Sequence, residues 1–596
     1  MKLYSVILFP LLLAGACTAG AQGFRPSESP AAGQTKRIDP MLQRMKPSEQ
    51  TDVIIVHNPE AAAGAGQRIE SRNGIHALVH FENAGSSLAH LTRDEIDRVS
   101  YDSEVAYIAP NQAVYSLSLD KGPEAAGAYA ALAAGYSGSG VGVAVIDSGV
   151  MLGNQDFLTS NLATSRISKE MSFVKNPAGS TTAPDDGADY FGHGTHVAGV
   201  LAGIGVYSQY NIAANLGIYP TYWIHGVALG ANIISLRVLD GTGAGTDASV
   251  IAAINWAIAN RTAMNIRVIN LSLGRPFTVS YTQDPLCQAA EKAWKAGIVV
   301  VVAAGNYGRS NSQNNQGYGT ITAPGNDPLV ITVGAVNTRG TTDRTQHVVA
   351  SYSSKGPTAI DHIAKPDLVA PGNNVYSSMC STGCPMTTTY TNNKVMDTDY
   401  ATIVGSPIAE SYFRLSGTSM ATPVVAGAVA LMLQKTPSLT PDQVKARLMK
   451  TASKTNFVAS YTAVDAVTGA SFPIAHDLFT IGAGEIDIMA ALNNTDVAPL
   501  TATASSPAVT VNAATGAVTV NFGQNVIWGS NVIWGSNVIW GSNVIWGSNV
   551  IWGSNVIWGS STLQGFNVIW GSGGIVASTG SALASEASSA VLNGDK

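Results

Sequence analysis

Four short runs rich in apolar and β-branched residues punctuate the middle of the chain: Val141–Ile146, Ile233–Val238, Val268–Leu271 and Ile298–Val302. Runs of this length read as strands buried on both faces. Ala248–Ala259, Pro285–Ala296 and Thr422–Gln434 carry helical windows between and after them. Strand and helix alternate in this way from about residue 125 to residue 495. That alternation predicts an α/β fold, a parallel sheet with helices on both faces.

A smaller α+β pattern precedes it. Strand-like Asp52–His57 and His76–Phe81 frame a helical stretch. Thr92 with Glu95 three residues on is a capping signal that opens a second helix. Val105–Tyr115 then reads as one last strand. Residues 22–50 are polar and Pro-containing and read as a linker.

The two ends differ in kind. Residues 1–21 carry a single cation, Lys2, an apolar run from Val6 to Ala16 and then small residues. This is the pattern of a signal peptide, too short for a stable membrane span. Ala14-Gly15-Ala16 and Ala19-Gly20-Ala21 are two cleavage options. A third is a bacterial lipobox, Leu13–Cys17, which would put a lipid on Cys17. Either way the chain is expected outside the cytoplasm, secreted or in the cell envelope of a bacterium. At the other end, after a linker or small β segment at 496–524, Asn-Val-Ile-Trp-Gly-Ser occurs six times in tandem from Asn525. A degenerate hexad follows, then a seventh copy at Asn567–Ser572, and a tail at 573–596. The period of six does not fit a helix, whereas Val-Ile-Trp is strand-like and Gly-Ser-Asn turn-like. A solenoid, stacked hairpins and a poorly ordered β-prone segment all remain compatible with it. Envelope contact and self-association through 525–572 are the roles it suggests.

Composition narrows the function classes. Only 12% of the 596 residues are charged, against about 25% in an average soluble protein. The net charge of −6 offers no electrostatic footprint for nucleic acid. Part of the deficit is local: residues 488–596 contain only Asp496, Glu586, Asp595 and Lys596 as charged side chains. Of the four cysteines, Cys380 and Cys384 could close a tight loop, with a metal or redox pair as alternatives. Cys287 has no evident partner.

Acyl transfer by a serine needs an adjacent base and a group that orients it. Asp147 follows directly on the strand ending at Ile146, where site residues gather at the carboxyl edge of a parallel sheet. His193 heads an apolar helix in Gly-His-Gly-Thr-His-Val-Ala-Gly, with His196 expected to be a satisfied core histidine. Ser419 lies in Ser-Gly-Thr-Ser-Met-Ala-Thr-Pro, where a turn opens a helix and its amides favour negative charge. Each residue alone has a bland reading as a turn aspartate, a core histidine or an N-cap serine.

Together, in the order Asp…His…Ser on a parallel α/β pattern, they resemble the subtilisin-like serine proteases, the subtilases. VINLSLG at 268–274, Ala303-Ala304-Gly305-Asn306, Ser353–Pro357 and KPDLVAPG at 365–372 extend the match over about 125–495. The resemblance implies Ser419 as nucleophile, His193 as general base and Asp147 as its orienting carboxylate, with Asn306 as side-chain donor to the oxyanion. It implies a substrate strand laid between Gly243-Ala244-Gly245 and Ser272-Leu273-Gly274, and Thr322 at the floor of the primary pocket, where many members have Gly. It implies protein or peptide substrates, no cofactor for catalysis, and residues 51–119 as an inhibitory propeptide, the chain's own intramolecular partner, cut near 115–130. Residues 205–226 and 377–413 are longer than a compact member needs. The first falls where some members hold structural calcium, so no metal site can be carried over. The catalytic body would span 120–495. The rival is a non-enzymatic surface adhesion protein in which the Trp-rich repeat acts and the protease body is a scaffold.

Overall fold

The computed structural model describes residues 37–500 and 503–521, apart from short internal breaks (the longest being 209–217 and 404–409), together with 544–546, 550–552 and 594–595. The leader with Cys17, and most of the repeat, lie outside the described residues.

The four central runs form the strands Gly142–Asp147, Asn232–Arg237, Ile266–Leu271 and Val299–Ala303. They lie within an eight-stranded sheet that also takes in Ile167–Ser172, Ile331–Asn337, Leu368–Pro371 and Val348–Val349. All of its pairings are parallel except that of Val348–Val349 with Ile331–Asn337. Two helix pairs cover it, as the alternating pattern requires: His193–Ala202 with Thr418–Lys435, and Asp247–Asn260 with Pro285–Lys295. Every residue of Val299–Ala303 and Ile331–Asn337 is buried. Continuous burial explains why these strands lack polar alternation.

The α+β pattern becomes a four-stranded antiparallel sheet in the order Ala77–Phe81, Ser86–Thr92, Gln50–His57, Val105–Pro110. Thr92 and Glu95 form the expected capping box on Arg93–Val99. This sheet rests on the helices Asp247–Asn260 and Pro285–Lys295, and Asn111 Oδ1 accepts the Ala248 N–H at 2.7 Å at the start of the first of them.

Two expectations are corrected. The linker reading of 22–50 fails at its far end: Ile38 and Leu42 are each 2% exposed in the core of the small sheet, and Ile38 bridges Ile108. Nor is Val105–Tyr115 one strand. Val105–Pro110 completes the small sheet, whereas Ala113–Ser116 leaves it and joins Ala244–Thr246 and Leu273–Gly274. The N–H-less Pro110 closes the first pairing, and the Asn111 cap turns the chain toward the second.

Within 496–524, the described residues 503–511 and 518–521 contain a two-stranded pairing. Ala508–Val511 pairs Val518–Asn521, and the Ser506 hydroxyl donates to the buried Asp367 at 2.5 Å. The two long insertions meet: Ile218–Pro220 pairs antiparallel with Ala401–Ile403. Within the repeat, the triplets Val544–Trp546 and Val550–Trp552 pair antiparallel. Among the described residues, no helix is long and apolar enough to cross a membrane.

Candidate active site

Asp147 ends its strand at the carboxyl edge of the sheet and is fully buried. Its Oδ1 accepts from His193 Nδ1 at 2.7 Å and from the Ser148 N–H at 2.7 Å. His193 is the first residue of its helix, preceded by Gly192 at φ 120°, a conformation open to glycine. The pairing fixes the ring and leaves Nε2 as the other nitrogen.

A second buried carboxylate, which sequence reasoning missed, holds this pair in place. Asp189 Oδ1 accepts from Ser148 Oγ, Phe191 N and Gly192 N at 2.8 to 2.9 Å; Oδ2 accepts from Thr195 N at 2.9 Å and Thr195 Oγ1 at 2.6 Å. Ser148 Oγ in turn accepts the Gly194 N–H at 2.8 Å. The loop before His193 and the residue after Asp147 are thus tied to one group. Burial raises the Asp189 pKa and the donated hydrogen bonds oppose that rise. The only sequence signal is an aspartate three positions before the Gly192-His193 pair, which is ordinary loop composition. Cys380 and Cys384 are joined by a disulfide, and their sulfurs lie 3.7 and 3.8 Å from the Asp189 carbonyl oxygen. Cys287 is free and buried.

His196 is a core histidine, as expected, but it is satisfied at one nitrogen: Nδ1 is buried without a hydrogen-bond partner. Its Nε2 pairs with the Phe413 carbonyl at 2.9 Å, and burial pushes its pKa down to about 3. A neutral ring donating Nε2–H therefore braces the His193 helix against the strand that leads to Ser419.

Ser419 is the second residue of the helix Thr418–Lys435, which starts four residues before Thr422, where hydrophobicity places its beginning. Pro423 explains the difference. Proline at this position has no N–H for the Ser419 carbonyl four residues back, so that carbonyl is free to accept from Ser272 Oγ, and it does. The Ser419 hydroxyl donates to the Ser272 carbonyl at 2.9 Å. Ser272 therefore clasps the serine on both sides.

Asn306 lies just beyond the strand Val299–Ala303. Its Oδ1 accepts from the Thr418 N–H at 2.9 Å and from Thr418 Oγ1 at 3.0 Å. The amide orientation is fixed by those two donors, and Nδ2 is left buried without a hydrogen-bond partner. An orphaned buried donor is costly unless something else completes it.

Ala113–Ser116 lies between the two edges anticipated for a substrate. Tyr115 faces Ala244 and Gly274, Val114 faces Gly245, and Ser116 faces Leu273. Gly243, the first residue of the anticipated edge, stands just before the strand Ala244–Thr246 at φ 80°, where a Cβ would come within 2.7 Å of the Phe191 ring. Thr322 sits beneath the other edge: a Cβ on Gly274 would lie 2.5 Å from its Oγ1, and one on Gly305 2.9 Å from its Cγ2.

The second edge is pinned by Arg275, 2% exposed. Its guanidinium donates to both Asp247 oxygens at 2.8 Å and to Asp284 at 3.0 Å. Arg275→Met would leave two carboxylates buried without a cation, expected to cost about 3–5 kcal/mol. Urea unfolding of a proteolytically silent chain measures it; a loss below about 1 kcal/mol would contradict the account.

Among the described residues, no group of three or more His, Cys, Asp or Glu is arranged to hold a metal ion. Residues 209–217 of the first insertion lie outside them, so the structure assigns no calcium.

The Subtilase family model (peptidase S8) matches residues 138–484. Serine protease AprX of Bacillus subtilis (strain 168) is 39% identical over 269 residues, which cover 44% of this chain and 53% of that protein. Subtilisin DY of Bacillus licheniformis is 35% identical over 321 residues, covering 54% of this chain and 86% of its own length. Among solved structures, fervidolysin from Fervidobacterium pennivorans, a keratinolytic enzyme related to subtilisin, shares the fold. It aligns with a TM-score of 0.51 at 21% identity, covering 75% of this chain and 62% of its own.

Proposed function

This chain belongs to the subtilase family and is a serine endopeptidase, and we propose that it cleaves peptide bonds with Asp147, His193 and Ser419 and is made as a zymogen. The observation that carries this reading is the Asp147–His193 hydrogen bond, made at the head of a helix that packs against the helix carrying Ser419 in its first turn. Ser419 Oγ attacks the scissile carbonyl once its proton leaves the Ser272 carbonyl for His193 Nε2. His193 then delivers that proton to the leaving amine, and Asp147 stabilises the imidazolium formed between the two steps. Asn306 Nδ2 and the Ser419 N–H donate to the oxyanion. Because Thr418 fixes the Asn306 amide beforehand, that donation needs no reorganisation during the reaction. Water hydrolyses the acyl-enzyme by the same relay, and no cofactor enters.

Substrate adds as a strand between Gly243-Ala244-Gly245 and Ser272-Leu273-Gly274. Backbone hydrogen bonds give affinity independent of sequence. Thr322 makes the primary pocket shallower than glycine would. Residues 51–119 act as the inhibitory propeptide. The antiparallel seating of Ala113–Ser116 on both edges supports this, since it is the arrangement of a bound substrate. A substrate strand continued in this register would set its next residue opposite Ser272, whose carbonyl accepts from the Ser419 hydroxyl. Self-processing is therefore expected at Leu117–Ser118, within the 115–130 window; both residues lie outside the described ones. The signal-peptide pattern supports export, with a lipid anchor at Cys17 as the alternative to free secretion.

The test labels the active protein with a serine-directed fluorophosphonate and sequences the mature amino terminus. An adduct on Ser419 and a mature chain starting at Ser118 are expected. Active material without a Ser419 adduct would overturn the nucleophile, and a cut outside 115–130 would overturn the propeptide reading. The adhesion-scaffold alternative has no use for the Asp147–His193 pair or the orphaned Asn306 amide. The repeat remains a candidate for envelope contact or self-association beside catalysis.

A further inference from the structure

Asp595 is one of the four charged residues in the last stretch of the sequence, on the far side of the hexad repeat, yet it is 3% exposed. It is buried in the protease body, in a site with a partner for each of its polar groups. Arg309 donates to Oδ1 at 2.8 Å. The Ser351 N–H donates to Oδ2 at 2.6 Å, and the Ser351 hydroxyl donates to Oδ1 at 2.5 Å. The Asn373 side-chain amide reads the backbone, with Nδ2 donating to the Asp595 carbonyl at 3.0 Å and Oδ1 accepting its N–H at 2.5 Å. Asp465 bridges Asp595 and takes a second Arg309 nitrogen at 2.6 Å. The preceding Gly594 has φ 63°, and a Cβ there would come within 2.4 Å of Ser416 Oγ and 2.7 Å of Asn373 Oδ1. The site therefore discriminates on two counts. It demands a residue without a side chain in a left-handed conformation, followed by a carboxylate.

We propose that Gly594–Asp595 is a latch and that Arg309, Ser351, Asn373 and Asp465 form its receptor on the catalytic body. The hexad segment then has both flanks fastened. On one side Ala508 bridges Ile363 and the Val509 N–H donates to the His362 carbonyl at 2.8 Å; on the other side is the latch. The receptor adjoins the catalytic loops. Arg309 follows Asn306 by three residues, and Ser416 precedes Ser419 by three. The buried arginine, whose pKa the neighbouring Asp595 and Asp465 raise against the effect of burial, needs carboxylate partners to be stable where it lies. The latch supplies one of them.

The test uses the full-length chain carrying Ser419→Ala, so that it cannot digest itself. Chymotrypsin is allowed to cut after the hexad tryptophans, and the nicked protein is passed over a sizing column. The fragment carrying Asp595 is expected to co-elute with the body. Asp595→Ala and Asn373→Ala, which break the contact from opposite sides, are each expected to lower the co-eluting amount at least about tenfold, as loss of a buried charged hydrogen-bonding partner does. If the fragment leaves the body in the parent chain, or stays with it in the Asp595→Ala chain, the latch does not exist.

Discussion

Ser419→Ala should abolish casein hydrolysis and release of the propeptide-sized fragment together, lowering kcat by about 10⁶-fold, the order found for loss of the nucleophile in a subtilisin. The variant retains the Asp147–His193 pair and the Asn306 amide. Binding and oxyanion stabilisation alone leave only about 10³–10⁴-fold over the uncatalysed reaction. The fold should be unaffected. The Ser419 hydroxyl gives up one hydrogen bond, to the Ser272 carbonyl, worth roughly 1 kcal/mol, while the opposite clasp from Ser272 Oγ to the Ser419 carbonyl remains. Melting within a few degrees of wild type, with both activities gone, is the expected result. A variant that still processes itself and still cuts casein would mean that another residue is the nucleophile.

Asn306 should show the second largest effect. Asn306→Ala is expected to lower kcat about 10²- to 10³-fold with KM little changed, the range established for this donor in a subtilisin. The reason is visible in the resting structure, where Nδ2 has no partner and so contributes to the transition state rather than to the ground state. Removing the side chain also strips Thr418 of its acceptor, which by itself could disturb the helix start. Asn306→Asp separates the two effects. It keeps an oxygen for Thr418 and puts a second oxygen where the donor was, so the helix start survives and the rate should still fall. An Asn306→Asp enzyme with wild-type kcat would remove Asn306 from the oxyanion site.

Much of the candidate site was legible because its signals are local. The strand ending at Asp147, the Gly-His pair and the turn opening at Gly417 are each written within a few residues, by apolar runs and glycine punctuation. Their joint meaning came from order along the chain and from the family's motif blocks. The same locality misplaced the start of the Ser419 helix. Hydrophobic periodicity begins at Thr422, but the first turn is held by Asn306 and Ser272, more than 100 positions away. Asp189 escaped notice for a related reason: its five donors come from Ser148, Phe191, Gly192 and Thr195, and only their convergence marks it. Val105–Tyr115 reads as one element in the sequence because β-propensity does not say which sheet a strand joins.

By itself, then, the sequence determined the α/β class, the order of the chemical groups and the family, since periodicity, turn residues and motif spacing act over a handful of positions. Tertiary structure alone decided that Ala113–Ser116 lies between Ala244–Thr246 and Leu273–Gly274, that Cys380 pairs with Cys384 against the Asp189 loop, and that Asp595 returns to Arg309 across 286 positions. Burial of a charge makes its partners obligatory, and which partners are near is a property of packing that no short window contains. The low charge of the last stretch, which marks it as apart from the body, is what makes the buried carboxylate of Asp595 stand out.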